Sequence, residues 1–187
     1  MDISEIKKTI LKYAKEEQKL RFSDDICWTK LKEIDLRNQA FLKDVIKEHS
    51  GIIFNPQSMG AEFVRNCWLI VQHSDNDIRF QEKCLELMKS NNCPAVHIAY
   101  LTDRVMVGRA QARYAGKNIC RAFDKQEYYT QWCLDNDTKQ YHVPPNLDLK
   151  KLAAKRQTIG MPFSKEVFPN GVWELIQGQN RKPGRSG

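Results

Sequence analysis

The segment from Phe63 to Val71 is apolar on nearly every side, and it constrains the fold more than any other part of the chain. A helix that is apolar all round is normally buried in a core. Four polar side chains follow it closely: Gln72, His73, Asp75 and Asp77. Polar groups at the end of a buried helix need partners, or they lower the stability of the fold. The pattern therefore predicts a central buried helix that ends in a polar cluster, our first candidate for a site.

Length and composition predict one globular domain. The chain has 187 residues, of which 41% are hydrophobic and 28% are charged, as in ordinary globular domains. We assign residues 1–177 to a single mainly helical domain and residues 178–187 to a basic disordered tail. No apolar run reaches the length of a membrane span, and the N-terminus lacks the apolar core of a signal peptide. We therefore expect a cytoplasmic protein that does not enter membranes.

The six cysteines form no Cys-x-x-Cys pair, which argues against a zinc ribbon or a thioredoxin-type motif. Cys67 and Cys84 fall among apolar helical positions, where a free cysteine acts as a small hydrophobic residue. In a domain of this size without a signal peptide, we expect all six cysteines to be reduced.

The formal net charge of +7 favours anionic partners. The basic residues are spread over several segments and the tail, without the interleaved aromatic residues of an RNA-binding motif. We therefore expect a small anionic ligand and treat nucleic-acid binding as a minority interpretation. The phosphate-loop, dinucleotide-binding, serine-elbow and His-Glu-x-x-His motifs are all missing from the sequence, so no cofactor is assigned. The sequence does not predict an oligomeric state.

Hydrophobic periodicity predicts helices along most of the chain. They cover residues 3–18, about 35–51, 61–73, 78–89, 95–114 and 146–157, with a broken final helix over 164–177. Asp35, Asp77 and Asn146 are the N-caps we predict, because a side-chain oxygen there accepts the hydrogen bond of an exposed helical N–H. Pro94 suits the first turn of the 95–114 helix.

The pattern changes after Gly116. Residues 119–123, 128–134 and 140–143 are typical of short strands, and residues 135–138 are typical of a turn. The fold class we predict is therefore mainly α, a helical core with a small antiparallel β hairpin or meander near residues 118–143.

The helix predicted over 95–114 carries a narrow polar strip. At about 100° per residue, the strip holds Tyr100, Asp103, Arg104, Gln111 and Tyr114. One interpretation is an ordinary solvated face. The other is one wall of a ligand cleft between helices, because two tyrosines are rather apolar for a wet surface and the flanks of the strip are small or apolar.

His73 also has two interpretations. A histidine at a helix end is often a capping group or a hydrogen-bonded core residue. Alternatively it is a general acid/base, because the pKa of a histidine side chain lies near neutrality. In that case Asp103 or Asp75 would fix its tautomer, and Arg104 would contact an anionic group of the ligand.

Histidine and carboxylates also suit a metal ion. The His-x-Asp spacing of His73 and Asp75 is a weak signal, however, and Asp77 is better explained as an N-cap. We therefore assign no metal site.

These segments, taken in order, resemble an uncharacterised, mainly bacterial family of unknown function. The shared motifs are Asp35-x-x-Asn38, Glu48-His49-x-Gly51, Trp68-Leu-Ile-Val-Gln-His-Ser-Asp75, Phe80-Gln81, Ala99-Tyr-Leu-Thr-Asp-Arg-Val105, Arg109-x-Gln111-x-Arg-Tyr114 and Gly160-Met-Pro162. The resemblance covers roughly residues 35–162. It implies site residues at Asn38, Gln72, His73, Asp75, Gln81, Tyr100, Asp103, Arg104, Gln111 and Tyr114.

The chain departs from the family pattern after Tyr114, where the family continues Gly-Thr-Gln and this chain has Ala115-Gly116-Lys117. If the Thr-Gln pair contacts a substrate in the family, this member has an altered specificity or no activity. The resemblance supplies no known reaction.

Two functional hypotheses remain open. In the first, the protein is an enzyme that acts on a small phosphorylated or nucleotide-like ligand by hydrolysis or group transfer, with His73 as general acid/base. In the second, it is a non-catalytic ligand-binding or protein-interaction module, and the same polar residues form a buried network that specifies helix packing. Convergence of His73, Asp103 and Arg104 on an open pocket would favour the enzyme, and full pairing in a closed core would favour the module.

Overall fold

The computed structural model describes residues 1–114, 119–134, 140–145, 147–169 and 171–179. The α-helices are α1 (Ile3–Arg21), α2 (Trp28–His49), α3 (Pro56–Met59), α4 (Ala61–Gln72), α5 (Ile78–Ser90), α6 (Ala95–Tyr114), α7 (Leu149–Gln157) and α8 (Val172–Gln179). Short 3₁₀ helices cover Ser50–Phe54, Ile119–Lys125 and Lys165–Val167. The chain forms two compact units, Met1–Leu101 and Thr102–Gly187, and the single domain over 1–177 stays a prediction.

Helix α4 is the centre of the first unit, as its apolar sequence predicts. It packs against α1, α2, α3 and α5. Val64, Cys67 and Val71 are fully buried, and Cys84 on α5 is fully buried as well. Burial raises the pKa of the Cys67 and Cys84 thiols, so both stay protonated and act as small apolar residues.

Two of the three predicted helix caps fall on described residues, and one of them is confirmed. The Asp77 carboxylate accepts the N–H of Phe80 at 3.0 Å and caps α5. The Asp35 cap is wrong, because α2 begins at Trp28 and Asp35 lies inside the helix. Asn146 lies outside the described residues, and α7 is capped by Asp148.

The predicted β hairpin or meander near residues 118–143 is wrong. The described part of this region contains no strand. It has the 3₁₀ helix Ile119–Lys125 and one isolated antiparallel bridge between Leu134 and Tyr141. The reason is that backbone N–H groups of residues 127–131 donate to side chains. Side chains of Asp103 and Gln126 accept four of them, so these groups are not available to a neighbouring strand.

The expectation of six reduced cysteines is also wrong, because Cys120 and Cys133 form a disulfide. It joins Cys133 to the 3₁₀ helix Ile119–Lys125, which contains Cys120. The four other cysteines are free. Disulfides persist mainly in oxidising surroundings. The cytoplasmic location stays a prediction.

The second unit is built around small apolar clusters. Val107 and Ala110 of α6 pack with Ala122, and Phe168 packs with Val172 of α8. The fold of this unit is all-α in the part that the structure describes. Most of the predicted basic tail, residues 180–187, lies outside that part. Within the described ranges, no helix combines the length and apolar character needed to cross a bilayer.

Candidate functional site

A cavity of about 270 Å³ opens beside His73 in the first unit. Three stretches of chain line it: the end of α1 with Arg21, the first turns of α2 with Trp28, Leu31, Lys32, Asp35 and Leu36, and the segment after α4 with His73, Asp75 and Asn76. The volume lies just below the usual range for ligand pockets, roughly 300–1,000 Å³, so a small ligand fits this cavity best.

The end of α4 places His73 at the cavity. Its backbone N–H still donates to Leu69 O at 3.1 Å, and Ser74 then ends the helix by donating its hydroxyl to Ile70 O. Gln81 of α5 donates to Val71 O at 3.0 Å, which satisfies a carbonyl at this helix end. The turn between α4 and α5 is therefore held by side chains, and its residues His73, Asp75 and Asn76 line the cavity.

Glu17 is the partner of His73. The Glu17 side chain is 1% exposed, and its Oε1 lies 2.5 Å from Nδ1 of His73. The oxygen lies away from the direction of the ring N–H, so the contact is a close polar contact rather than a linear hydrogen bond. Arg21 also contacts Glu17 through Nε. Burial alone would raise the pKa of Glu17, but His73 and Arg21 outweigh burial and lower the pKa.

Arg21 extends this network to the cavity wall. Its Nη2 donates to the Asp35 carboxylate at 2.8 Å. Burial raises the pKa of Asp35, and this effect exceeds the opposing effect of Arg21. One cation therefore bridges two carboxylates, one buried behind His73 and one at the cavity.

The free edge of the His73 ring is the chemically useful feature. The His73 side chain is 17% exposed, and its Nε2 has no hydrogen-bond partner among the described residues. A carboxylate at Nδ1 favours the tautomer that carries its proton there, which leaves a lone pair on Nε2. The arrangement can accept a proton from a ligand or water in the cavity.

Asp103 is held inside the second unit and has a different environment. It is 0% exposed and accepts the backbone N–H groups of Glu127, Tyr128 and Thr130 at 2.7–3.0 Å, together with the Thr130 hydroxyl at 3.0 Å. Burial raises the pKa of Asp103, and these four donors act in the opposite direction. Its acceptor positions are used, so the carboxylate holds a loop rather than facing a ligand.

Arg156 holds the same loop from its carbonyl side. It is 3% exposed and donates to the backbone oxygens of Tyr128, Tyr129 and Pro162. Tyr129 has a φ of 53°, a left-handed conformation that a bulky residue rarely adopts. The surrounding hydrogen bonds maintain it.

The remaining predicted site residues of the first unit lie mostly in packed positions. Asn38 is buried and bonded to Tyr13 O and Arg37, and Tyr100 packs edge-on against Trp68. Gln81 and Gln72 are buried at the end of α4. Asp75 alone among these lines the cavity with His73.

In the second unit, three more predicted residues occupy different environments. Gln111 is exposed, Tyr114 packs on the Val107 cluster, and Arg104 is half-buried. The α6 strip is therefore not one continuous solvated face, since Asp103 in its middle is fully buried.

Sequence reasoning missed Glu17, Arg21, Lys32 and Trp28. A signal for Glu17 was present, because it continues the buried stripe Ile6, Ile10 and Ala14 of α1 at helical spacing. A carboxylate in line with an apolar stripe must be buried and therefore needs a cationic partner. No comparable signal marks Trp28 or Lys32.

The described residues contain no group of three or more histidine, cysteine, aspartate or glutamate side chains that could hold a metal ion.

A family model matches most of the chain. Residues 23–166 match the model of the Family of unknown function (DUF6624), and the chain belongs to that family. No curated protein and no solved structure matches the chain. The matched region includes His73 and the α2 wall of the cavity but not Glu17 and Arg21, which α1 supplies from outside it.

Proposed function

We propose that the protein is an enzyme that acts on a small phosphorylated or nucleotide-like ligand by hydrolysis or group transfer, with His73 as general acid/base. The observation that carries the proposal is the position of His73, with Nδ1 against the buried carboxylate of Glu17 and Nε2 free at a cavity. A base oriented by a buried carboxylate is a recurring arrangement in catalysis.

The proposed chemistry needs only this pair and the ligand. Nε2 of His73 takes a proton from water or from an acceptor hydroxyl as its oxygen attacks the phosphorus. The bond from phosphorus to the leaving oxygen then breaks, and that oxygen takes the proton back from the imidazolium. Glu17 stabilises the imidazolium between the two transfers because it is a buried anion in contact with Nδ1.

Two cations at the cavity suit the anionic part of the ligand. Lys32 has no carboxylate partner among the described residues, and Arg21 uses Nε and Nη2 but keeps the two N–H groups of Nη1. This assignment replaces the predicted roles of Asp103 and Arg104 with Glu17, Arg21 and Lys32. Asp75, which is exposed at the cavity, remains a candidate for a hydroxyl contact.

The proposal is tested by turnover and binding in matched variants. Purified protein is assayed for phosphate release from nucleotides and sugar phosphates, with and without divalent metals, and by thermal shift. Loss of a general base should lower the rate about 10²–10⁴-fold in His73→Ala, and Glu17→Gln should lower it less. A bound ligand at 100 times its Kd should stabilise by about 2.7 kcal/mol.

His142→Ala is the matched control. His142 Nε2 also contacts a carboxylate, Asp124 at 2.6 Å, and it is similarly shielded, but it does not line the cavity beside His73. An activity lost in both histidine variants, or retained in His73→Ala, contradicts the proposal.

A non-catalytic ligand-binding or interaction module is the alternative. It is favoured by the buried and satisfied positions of Asn38, Gln81 and Asp103, which act in packing. If neither ligand nor turnover is found and His73→Ala is strongly destabilised, the network around Glu17 is structural and the module is the better description. Nucleic-acid binding remains the weakest candidate and would require a steep salt dependence.

A further inference from the structure

The cavity beside His73 has one wall that the proposed chemistry does not use. Trp28, the first residue of α2, lines it and is 69% exposed. None of the ring contacts between described residues involves the Trp28 indole. Leu31 and Leu36 of α2 also line the cavity, so its apolar part consists of an exposed indole and two leucines.

The cationic part of the cavity lies beside this apolar wall. Lys32 is four residues after Trp28 and therefore sits one helical turn away on the same face of α2. A ligand that covers both residues needs a flat apolar ring at one end and an anionic group at the other. A sugar phosphate supplies only the anionic group.

We propose that the ligand of this cavity is a nucleoside monophosphate, whose base stacks on Trp28 and whose phosphate contacts Lys32 and Arg21. This inference rests on the proposed function and chooses between the two ligand classes left open there. Stacking of a base on an exposed aromatic side chain tolerates different bases, because every base has a flat face. The small volume of the cavity suits one nucleotide rather than a dinucleotide.

The test compares three probes by isothermal titration: adenosine monophosphate, ribose 5-phosphate and adenosine. On the wild-type protein, adenosine monophosphate should bind at least roughly tenfold more tightly than ribose 5-phosphate, because only the nucleotide stacks. Trp28→Ala should reduce its affinity to that of ribose 5-phosphate, and Trp28→Phe should keep most of the preference. Lys32→Ala should weaken the binding of adenosine monophosphate and of ribose 5-phosphate, and it should leave the affinity for adenosine unchanged.

Phe22→Ala is the matched control, since Phe22 is an aromatic residue that is 83% exposed nearby in sequence but does not line the cavity. It should change none of the affinities. Quenching of tryptophan fluorescence by adenosine monophosphate should disappear in Trp28→Phe while binding persists.

Equal affinities for adenosine monophosphate and ribose 5-phosphate, or a Trp28→Ala variant that keeps the preference, overturn the inference. If His73-dependent turnover of sugar phosphates is seen at the same time, the proposed function stands without base stacking. If adenosine monophosphate fails to bind at millimolar concentration, the inference is also overturned, and binding of ribose 5-phosphate then decides whether the proposed function fails with it.

Discussion

Glu17 in the first unit and Asp103 in the second are both removed from solvent, but they are stabilised by different groups. Glu17 contacts two cationic or titratable side chains, His73 and Arg21, and these in turn reach a cavity. Asp103 accepts backbone N–H groups and one hydroxyl. Backbone donors have fixed positions, whereas His73 and Arg21 are side chains that line a cavity. Burial of a carboxylate therefore does not indicate its role, whereas the chemistry of its partners does.

The largest effect is expected at Asp103. Asp103→Ala removes the acceptor of three N–H groups and a hydroxyl. Each donor left without a partner costs about 1–3 kcal/mol, so we expect a loss of at least about 4 kcal/mol in the free energy of unfolding. Urea unfolding measures it. Asp44→Ala, which removes an exposed aspartate from a surface pair with Lys47, should stay within about 0.5 kcal/mol. A loss below about 1 kcal/mol at Asp103 would remove the contrast between the two carboxylates.

The next effect is expected at the disulfide of the second unit. Cys133→Ser should lower the free energy of unfolding by about 3 kcal/mol, the value for a closed loop of about 15 residues. A reductant should destabilise the wild-type protein and leave Cys133→Ser unchanged. Cys27→Ser, at an exposed free cysteine, should have little effect. The disulfide encloses the loop bound by Asp103, so the stability losses of Cys133→Ser and Asp103→Ala should not be additive in the double variant. Additive losses would show that Asp103 holds the loop independently of the disulfide.

A smaller loss is expected at Glu17. Glu17→Ala should cost about 1.5–3 kcal/mol, the value for hydrogen bonds to charged groups, because Arg21 keeps Asp35 as a partner and both Arg21 and His73 reach solvent. The adjacent Glu16→Ala removes a surface pair with Arg37 and should cost about 0–1 kcal/mol. Thermal and urea unfolding compare the two. A Glu17 loss as large as that of Asp103 would favour the structural module over the enzyme.

The smallest effect is the pH dependence of the same network. The folded-state pKa of Glu17 lies below its ordinary value of 4.5, so the unfolded chain takes up the proton first as the pH falls. The stability that Glu17 contributes is therefore present above about pH 4.5 and is lost below it, and the advantage of wild type over Glu17→Gln should shrink there. Burial raises the pKa of Asp35, so its folded state takes up the proton first as the pH falls. The effect of Asp35 on the free energy of unfolding therefore becomes more favourable at lower pH, opposite to that of Glu17. Urea unfolding between about pH 3 and 6 measures both effects. A difference in stability between wild type and Glu17→Gln that does not change with pH would contradict the lowered pKa of Glu17.

Local patterns predicted the parts of the fold that depend on neighbouring residues. The buried helix α4, the Asp77 cap and the α6 helix after Pro94 follow from apolar spacing and capping chemistry. The β segment failed for a tertiary reason. Its residue types are typical of short strands, but Asp103, which is distant in sequence, accepts the N–H groups that a strand would need.

The candidate site was only partly predictable for the same reason. His73 and Asp75 follow from polar residues at the end of an apolar helix, and both line the cavity. The pairing of His73 with Glu17 requires the packing of α1 on α4, which spacing within either helix does not reveal. Cysteine spacing without a Cys-x-x-Cys motif likewise gave no indication that Cys120 and Cys133 meet.

The Cys120–Cys133 cross-link also changes what a cut in the chain would do. It closes a covalent ring through residues 121–132, which includes the backbone groups that Asp103 holds. A protease that cleaves once within this ring severs the chain but does not separate its two halves. The nicked protein should therefore migrate as one species on a non-reducing gel and as two fragments after reduction.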